Sequence, residues 1–449
     1  MKNITTRAIV CILLALMLAA GTVLFVFRYF TNAGSWVSYP SNRHLYTGGV
    51  LNSGTVFDRN GNILTEYDNG WQYNKNGGIR VSTLHAVGDP GGLIGIGALT
   101  AFASSLTGYN PITGTNSIFS TGQQLYLTID SDLCSTAYNA LDGRSGTVGV
   151  YNYRTGEILC MVSSPSFDIN GSLPDSDSTD GEYINRLLSS TFIPGSTFKL
   201  VTAAAALEKI PDIEKRTFDC TGSMDVGGYK VTCQSAHGSG LTLEDALNVS
   251  CNCAFGQLSL ELGPDVMQHY AECTGLTSGY SVNGINTAKS TFDFYADGRA
   301  GLAWSGIGQG RDMVNPCAMM VLAGAIAGGS TAAEPQIIHH TAFSNGITNS
   351  IYIFRRTDKF MKPSTAYTLK KMMRSDVIKN YGQDNFPGLE ICAKSGTAQV
   401  NSEVSDGWFV GFLDDNDHPY AFVCLVEGGG NGAKSAGSII NRVLQKAVL

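Results

Sequence analysis

A serine and a lysine stand three residues apart in the segment 194–199, which reads Pro-Gly-Ser-Thr-Phe-Lys. Alanine-rich sequence follows, so we expect a helix to begin near Ser196. Positions i and i+3 share one face of a helix, which places Lys199 beside Ser196. A helix N-terminus favours developing negative charge, and burial can lower the pKa of a lysine until it takes a serine's proton. The pair could be a nucleophile and its base, although an N-cap serine beside a solvated lysine has the same pattern.

Two further short segments carry polar groups suited to the same chemistry. The first is Ser250-Cys251-Asn252, in the middle of a helical, cysteine-rich stretch. The second is the segment 394–397, Lys-Ser-Gly-Thr, in a strand candidate. It offers a cation, a hydroxyl and a glycine backbone that can approach a ligand closely. In this order the three segments match the S-x-x-K, S-x-N and K-S/T-G set of serine acyl-transfer enzymes.

Strands near both ends of the chain and helices between them must position these residues. Strand candidates are 125–129, a hairpin over 146–163 that turns at 154–156, 406–413 and 420–427. Helical patterns cover 132–141, 196–209, 243–262, 316–328 and the C-terminus after Gly437. Sheet-forming segments on either side of a helical block predict an α+β architecture, with a helical subdomain inserted into a sheet-based one.

The first thirty residues predict a membrane anchor. Residues 8–27 carry no charge, and a helix of that length spans ~30 Å, the thickness of the hydrocarbon core. A cleaved signal peptide would have a shorter apolar region followed by a small-residue cleavage site. We therefore expect an uncleaved single-pass anchor at 8–28. Since Lys2 and Arg7 precede the apolar run, the positive-inside rule leaves residues 1–7 in the cytoplasm and the remaining chain outside it.

Composition excludes several classes of protein. The chain has 449 residues, of which 43% are hydrophobic and 15% charged, with a formal net charge of −7. It is too apolar for a disordered chain and lacks the basic character of a nucleic-acid-binding protein.

The length of the chain suits two or three domains. The segment 29–124 is rich in Gly, Ser, Asn and Thr, and Asn60-Gly61 predicts a hairpin there. We expect a small β-containing pedestal over 29–124 and a main domain over 125–449.

The eleven cysteines do not have the spacing of a metal site. Cys251 and Cys253 lie two residues apart, with no second pair at zinc-ligand spacing. The histidines show no H-x-x-x-H or similar spacing either, so we predict no metal ligands and no cofactor. We expect most cysteines to be small buried side chains. Cys220 and Cys233 flank a hairpin candidate and could be bridged in an oxidising compartment.

With these motifs the chain resembles a class B penicillin-binding protein, a peptidoglycan D,D-transpeptidase. Further similar segments within 125–449 are 127–130, 155–159, 164–168, 185–186, 306–310, 315–316 and 408–412. The segment 54–61 is similar to the family's juxtamembrane Asp-Arg-Asn-Gly segment, with Ser53 where an arginine is usual. The pedestal over 29–124 is shorter than is normal in the family. The segment 306–310 lacks the Lys-Ser/Thr of a phosphate loop, and we interpret it as a tight packing loop.

The resemblance implies the fold shared by penicillin-binding transpeptidases and serine β-lactamases. In that fold an antiparallel sheet carries helices and an inserted helical subdomain, here preceded by one transmembrane helix and a small β-rich pedestal. Ser196 would attack the carbonyl between two D-alanines and form an acyl-enzyme, with Lys199 as general base. Ser250, together with Lys394, would relay a proton towards the leaving D-Ala.

Four residues are implied as the binding groups for the substrate peptide. Asn252 would hydrogen-bond the peptide amide and help to orient Lys199. Ser395 and Thr397 would bind the terminal carboxylate, next to the close backbone approach that Gly396 allows. The backbone N–H groups of Ser196 and Thr397 would form the oxyanion hole. Implied partners are peptidoglycan stem peptides, as D-Ala-D-Ala donor and amine acceptor, β-lactam antibiotics, and a polytopic lipid II polymerase in the same membrane.

Three other functions would use the same residues differently. A serine β-lactamase needs a base for its deacylating water, in one class a glutamate in an E-x-x-x-N segment. Glu244 and Asn248 have that spacing but precede Ser250, so we interpret them as a coincidence. A D,D-carboxypeptidase differs only in using water as the acceptor and stays open. A non-enzymatic β-lactam sensor would need a cytoplasmic output that residues 1–7 are too few to supply, and a silent scaffold would be expected to lose some catalytic residues.

Overall fold

The protein is represented by a computed structural model that describes residues 2–37, 46–47, 50–51, 53–109, 122–175 and 180–449. The helices are α1 Lys2–Val37, α2 Gly77–Val87, α3 Ala98–Ala101, α4 Ala103–Leu106, α5 Ser131–Leu141, α6 Arg186–Ser189, α7 Lys199–Lys209, α8 Leu243–Asn248, α9 Asn252–Cys273, α10 Gly298–Ser305, α11 Pro316–Ala327, α12 Pro363–Asp376 and α13 Gly432–Ala447.

The strands are short near the N-terminus and longer in the region that carries the predicted site. They are β1 Tyr46–Thr47, β2 Val50–Leu51, β3 Thr55–Phe57, β4 Ile63–Tyr67, β5 Trp71–Tyr73, β6 Gln123–Leu127, β7 Gly146–Asn152, β8 Ile158–Ser164, β9 Phe218–Cys220, β10 Ser223–Val226, β11 Tyr229–Thr232, β12 Gly238–Leu241, β13 Ser281–Val282, β14 Ile285–Asn286, β15 Ile338–Phe343, β16 Thr348–Ile351, β17 Ile391–Gln399, β18 Ser405–Leu413 and β19 Tyr420–Val426. Single turns of 3-10 helix cover Gly195–Phe198, Ile213–Lys215 and Gln383–Asn385, and a π turn covers Val377–Tyr381.

An antiparallel sheet of five strands, in the order β17-β18-β19-β7-β8, forms the centre of the main domain. Almost every residue of β8, β18 and β19 is buried, which requires cover on both faces of the sheet. Helices α11 and α13 both pack on β18 and β19, and α13 also packs on α5. The side chains of α11 are buried along nearly its whole length, as its uniformly apolar sequence requires.

The helical block between β8 and β17 confirms the predicted α+β architecture. Helix α7 packs on α9, α10 packs on α9, and α12 packs on both α7 and α8. The helix predicted over 243–262 is wrong in detail, because it is broken between α8 and α9 and because α9 continues to Cys273. Gly263 has φ +79 just before Pro264, and this kink lets the chain resume a helix although proline donates no N–H.

A second sheet, of six strands, lies on the N-terminal side of the chain, with the order β16-β15-β6-β3-β4-β5. Its β3–β4 hairpin turns around Asn60-Gly61, as predicted. The carboxylate of Asp58 accepts the backbone N–H groups of Asn60 and Asn62 at 2.9 and 2.8 Å and stabilises the turn. The predicted boundary between residues 124 and 125 falls inside β6, and β15 and β16 come from far downstream.

The predicted anchor at 8–28 lies within the long N-terminal helix α1. Residues Ile4–Gly34 are long and apolar enough to cross a membrane, with a mean hydropathy of 2.9 in the most apolar window of the helix. The side chains of that window are exposed to the surroundings of the protein. An exposed apolar helix of this length is stable in lipid and not in water, which agrees with a single-pass membrane protein.

Candidate active site

The turn that carries Ser196 is held between a glycine loop and strand β17. Ser196 lies in the 3-10 turn Gly195–Phe198, which leads directly into α7, as the predicted helix start requires. The N–H of Gly195 donates to the backbone oxygen of Gly308 at 2.8 Å. A Cβ added at Gly195 would lie 2.9 Å from the backbone oxygen of Thr397. Close backbone contacts on two sides therefore fix the position of Ser196.

The amine of Lys199 is buried and joins three other predicted site residues. Its Nζ lies 3.1 Å from Ser196 Oγ, 3.1 Å from Ser250 Oγ and 2.7 Å from Asn252 Oδ1. Burial, and secondly the charge of Lys394, lowers the pKa of Lys199 from 10.5 to about 7. A large share of this amine is therefore neutral near pH 7, and a neutral amine beside a hydroxyl can accept its proton.

Ser250 and Asn252 lie at the break between α8 and α9, and not in the middle of a helix as predicted. Ser250 adopts a left-handed conformation with φ +52, and Cys251 caps α9 by accepting a backbone N–H on its Sγ. The Nδ2 of Asn252 donates to the backbone oxygen of Thr232 at 2.7 Å. Residues i and i+2 of a continuous helix face different directions, so the break is what turns both side chains towards Lys199.

Strand β17 supplies one wall of the cleft in front of the nucleophile. Side chains alternate along a strand, so Ser395 and Thr397 share one face and Lys394 and Gly396 the other. Ser395 and Thr397 line a cleft of about 470 Å³ together with Ser196 and other residues. A Cβ added at Gly396 would lie 3.0 Å from the backbone oxygen of Pro194, the residue just before the turn that carries Ser196. Gly396 thus lets the strand lie against that turn.

Lys394 is paired with two residues that sequence reasoning missed. Its Nζ lies 3.2 Å from Asp376 Oδ2 and 3.2 Å from the hydroxyl of Tyr381. Burial alone would lower the pKa of Lys394, but the attraction of Asp376 and Tyr381 outweighs burial and raises it. For the hydroxyl of Tyr381, burial has the opposite effect and raises the pKa to about 12. Lys394 therefore holds a permanent positive charge in the wall of an adjoining cavity of about 720 Å³, which Ser250 and Ser395 also line.

Neither partner of Lys394 belongs to a recognisable motif. Asp376 ends α12, and Tyr381 ends the π turn Val377–Tyr381. One signal is nevertheless present in the sequence, because Lys394 directly follows the apolar run Ile391-Cys392-Ala393 in its strand. A lysine buried in such a strand needs an anionic partner. The sequence does not say which acidic residue that partner is.

We expect the Asp376→Asn substitution to impair both stability and acylation. Removal of the carboxylate leaves the amine of Lys394 buried without its partner, and breaking a buried ion pair in this way costs about 3–5 kcal/mol of unfolding free energy. Thermal unfolding and the rate of acylation by a penicillin measure the two effects. Asp384→Asn is the matched control, since Asp384 is an exposed carboxylate on the following turn. Equal behaviour of both variants would contradict the role given to Asp376.

We expect Gly308→Ala to displace the turn that carries Ser196. A Cβ at Gly308 would lie 2.2 Å from the backbone oxygen of Gly195, and Gly308 has φ +74. Gly310 also has a positive φ, +91, but nothing lies within 4 Å of its added Cβ. Gly310→Ala is the matched control, because it introduces a similar backbone strain of about 1 kcal/mol without a collision. Gly308→Ala should lose clearly more stability and should also acylate more slowly, and equal losses would contradict the proposed contact.

Comparison with known proteins places this arrangement in a family. Residues 146–445 match the family model described as the penicillin binding protein transpeptidase domain. The chain belongs to this family. The match includes all three segments that suggested serine acyl transfer, and the prediction of a class B penicillin-binding protein is confirmed.

Curated relatives of this penicillin-binding protein include named transpeptidases. It is 27% identical over 337 residues to the peptidoglycan D,D-transpeptidase PbpA of Mycolicibacterium smegmatis, an alignment that covers 69% of this chain and 68% of the relative. It is 29% identical over 325 residues to stage V sporulation protein D of Bacillus subtilis, which covers 67% of this chain and 47% of that protein. The chain thus spans about two thirds of one relative and about half of the other.

Solved structures of penicillin-binding proteins confirm the predicted fold. The crystal structure of PBPA from Mycobacterium tuberculosis superposes with a TM-score of 0.77 at 22% identity, covering 88% of this chain and 99% of that one. The D,D-transpeptidase domain of a peptidoglycan glycosyltransferase from Eggerthella lenta gives a TM-score of 0.75 at 25% identity, covering 88% and 98%. A second structure of penicillin-binding protein A from M. tuberculosis, its ceftriaxone acyl-enzyme complex, gives a TM-score of 0.75 at 23% identity. This match covers 88% of this chain and 98% of that one.

Proposed function

We propose that this penicillin-binding protein is a peptidoglycan D,D-transpeptidase that works through an acyl-enzyme on Ser196. The observation that carries the proposal is the buried amine of Lys199, 3.1 Å from Ser196 Oγ and with its pKa lowered to about 7. A serine hydroxyl is a weak nucleophile until a neighbouring base takes its proton. Stem peptides that end in D-Ala-D-Ala, and β-lactams, are the proposed acyl donors.

In the proposed acylation step, Ser196 Oγ attacks the carbonyl carbon between the two D-alanines while Lys199 takes its proton. The carbonyl oxygen becomes an oxyanion, which the backbone N–H groups of Ser196 and Thr397 stabilise by about 3 kcal/mol each. The amide bond then breaks, and its nitrogen receives a proton through Ser250 Oγ, 3.1 Å from Lys199 Nζ. Free D-Ala leaves, and the rest of the peptide remains as an ester on Ser196.

Substrate position in this scheme depends on the polar residues of β17 and the S-x-N segment. The hydroxyls of Ser395 and Thr397 bind the terminal carboxylate, and the positive charge of Lys394 attracts it. Asn252 donates to the peptide backbone and holds Lys199 through its Oδ1. In the second step an acceptor amine attacks the ester carbonyl. A new amide bond forms, and Ser196 Oγ regains a proton.

The two enzymatic alternatives named from the sequence, a carboxypeptidase and a β-lactamase, differ from a transpeptidase only in the second step. A carboxypeptidase would use water as the acceptor. A β-lactamase would need a base for that water, and Glu244 is the residue with the suggestive spacing. Glu244 Oε1 accepts from Ser375 Oγ at 2.7 Å and from Lys379 Nζ at 3.1 Å, an engagement that supports a structural role for it. Transpeptidation is the proposal because the curated relative PbpA carries that activity in its name.

The proposal includes a topology and a partner. Residues 1–7 would lie in the cytoplasm, 8–28 in the membrane, and the pedestal over 29–124 and the transpeptidase domain over 125–449 outside the cytoplasm. Cross-linking needs glycan strands as substrate, so a polytopic lipid II polymerase in the same membrane is the proposed partner.

The acceptor amine separates the alternatives experimentally. The full-length protein in detergent is given a peptide donor ending in D-Ala-D-Ala, with and without a D-amino acid as acceptor. We expect release of D-Ala and formation of the new amide with the acceptor. Release of D-Ala with only the hydrolysed peptide as product would favour the carboxypeptidase. Rapid turnover of penicillin without a lasting adduct would favour the β-lactamase.

A further inference from the structure

Three thiols and an imidazole meet beside the S-x-N segment. Cys233 Sγ lies 3.7 Å from Cys220 Sγ and 3.9 Å from Cys251 Sγ. Cys220 Sγ lies 3.4 Å from His237 Nδ1. All four atoms lie within 4.8 Å of one another. They come from three segments: the end of β9, the turn after β11, and the N-cap of α9.

The spacing of these atoms differs from that of a disulfide and agrees with that of a metal site. A disulfide joins two sulfurs at about 2.05 Å, and both Cys220 and Cys233 are free. Four ligands at about 2.3 Å around a tetrahedral Zn²⁺ lie about 3.8 Å from one another for sulfur pairs, and slightly less between sulfur and nitrogen. The observed separations of 3.7, 3.9 and 3.4 Å follow that pattern.

We propose that Cys220, Cys233, His237 and Cys251 bind a structural Zn²⁺ ion. Thiolate and imidazole ligands favour Zn²⁺ over the hard cations Mg²⁺ and Ca²⁺, and four protein ligands complete its tetrahedron. The ion binds the three cysteines as thiolates, so their protons are released to solvent as it binds. Cys233 and His237 line the 470 Å³ cleft, which gives the ion a route to the site.

This proposal departs from the sequence-based prediction of no metal ligands. The sequence suggested only Cys251 and Cys253 as a pair, and Cys220 and Cys233 as a bridge. The proposed ligands are 13, 4 and 14 positions apart along the chain, and no regular zinc motif has this spacing. They come together because the β10–β11 hairpin returns the chain next to the N-terminus of α9.

The proposed ion would hold the S-x-N segment in place. Cys251 stands between Ser250 and Asn252, and the backbone N–H of Asn252 donates to Cys233 Sγ at 3.2 Å. The metal would therefore tie the end of β11 to the loop whose two polar side chains contact Lys199. This consequence for acylation rests on the proposed function, whereas the metal assignment does not.

Metal content tests the ligand assignment directly. Full-length protein is purified in detergent, equilibrated with Zn²⁺ and desalted, and its zinc is measured by elemental mass spectrometry. We expect about one Zn²⁺ per chain, and a tetrahedral cobalt–thiolate absorption spectrum when Co²⁺ replaces it. Cys233→Ser and His237→Ala should lose most of the metal. Cys273→Ser is the matched control, since Cys273 is half-buried elsewhere, and it should keep the metal.

Three results would overturn the site. They are no retained zinc, zinc retained unchanged in both ligand variants, and an intact mass two hydrogens lighter that maps to a Cys220–Cys233 disulfide. Cys253 Sγ lies 3.6 Å from Cys233 Sγ and is the competing thiol. Zinc lost in Cys253→Ser but kept in Cys251→Ser would overturn the assigned set of ligands.

Acylation tests the positioning role separately. Removal of zinc by a chelator should lower the rate of Ser196 acylation by penicillin about tenfold or more, and added Zn²⁺ should restore it. An unchanged rate in demonstrably zinc-free protein would overturn the positioning role. If the proposed function itself were wrong, the zinc-loaded protein would show no acylation at Ser196, a result distinct from both.

Discussion

Replacement of Ser196 by alanine should reduce acylation by penicillin about 10⁴-fold or more, because it removes the atom that forms the covalent bond. The rate of labelling of the full-length protein by a fluorescent penicillin measures this effect. The fold should be unaffected, since Ser196 Oγ is a small polar group whose partner, Lys199 Nζ, keeps its contacts with Ser250 and Asn252. Thermal unfolding should therefore differ little from that of the parent protein.

A nearby serine provides the control for this substitution. Ser189 ends α6 and is exposed, so Ser189→Ala should acylate at the parental rate. Labelling of Ser196→Ala at a rate close to that of Ser189→Ala would contradict the proposed nucleophile. The nucleophile would then have to be another hydroxyl of the cleft, such as that of Ser250 or Ser395.

Replacement of Lys199 by methionine should lower the acylation rate about 10²–10⁴-fold, the range expected for loss of a general base. Methionine fills a similar volume without the amine, so the buried position stays packed. In the proposed mechanism the neutral amine of Lys199 is the active form, and its pKa in the parent protein is lowered to about 7. Acylation should therefore accelerate as the pH rises through about 7 and then level off until another group titrates.

The pH profile separates a catalytic role of Lys199 from a structural one. The residual rate of Lys199→Met should lose the rise near pH 7, whereas a variant that is merely misfolded would keep the profile with a smaller amplitude. Lys209→Met is the matched control, since Lys209 is an exposed lysine at the other end of α7. A Lys199→Met variant with the parental rate and profile would contradict the proposed base.

Short contiguous patterns were what the sequence could predict. Ser196 and Lys199 lie within one helical turn, and Lys394 to Thr397 lie within one strand, so local geometry relates them to each other. Apolar runs likewise predicted β7, β8, β18, β19 and the helices α7 and α11 to within a few residues. In each case the local structure depends on residues that are close in the sequence, and tertiary packing does not change it.

Groups that depend on distant parts of the chain could not be predicted. Asp376 and Tyr381 reach Lys394 only because α12 packs on β17. Cys220, Cys233, His237 and Cys251 come together only because the β10–β11 hairpin returns the chain beside α9. The break at Ser250 replaces a helical residue by a left-handed one with φ +52, a conformation that helix periodicity does not reveal.

The site at which penicillin becomes attached tests the central claim most directly. Full-length protein in detergent is mixed with benzylpenicillin, its intact mass is followed over time, and the adduct is mapped by peptide mass spectrometry. The account predicts a single adduct per chain that maps to Ser196 and persists while free penicillin remains intact. An adduct at another residue, or rapid destruction of penicillin without any accumulated adduct, would contradict it.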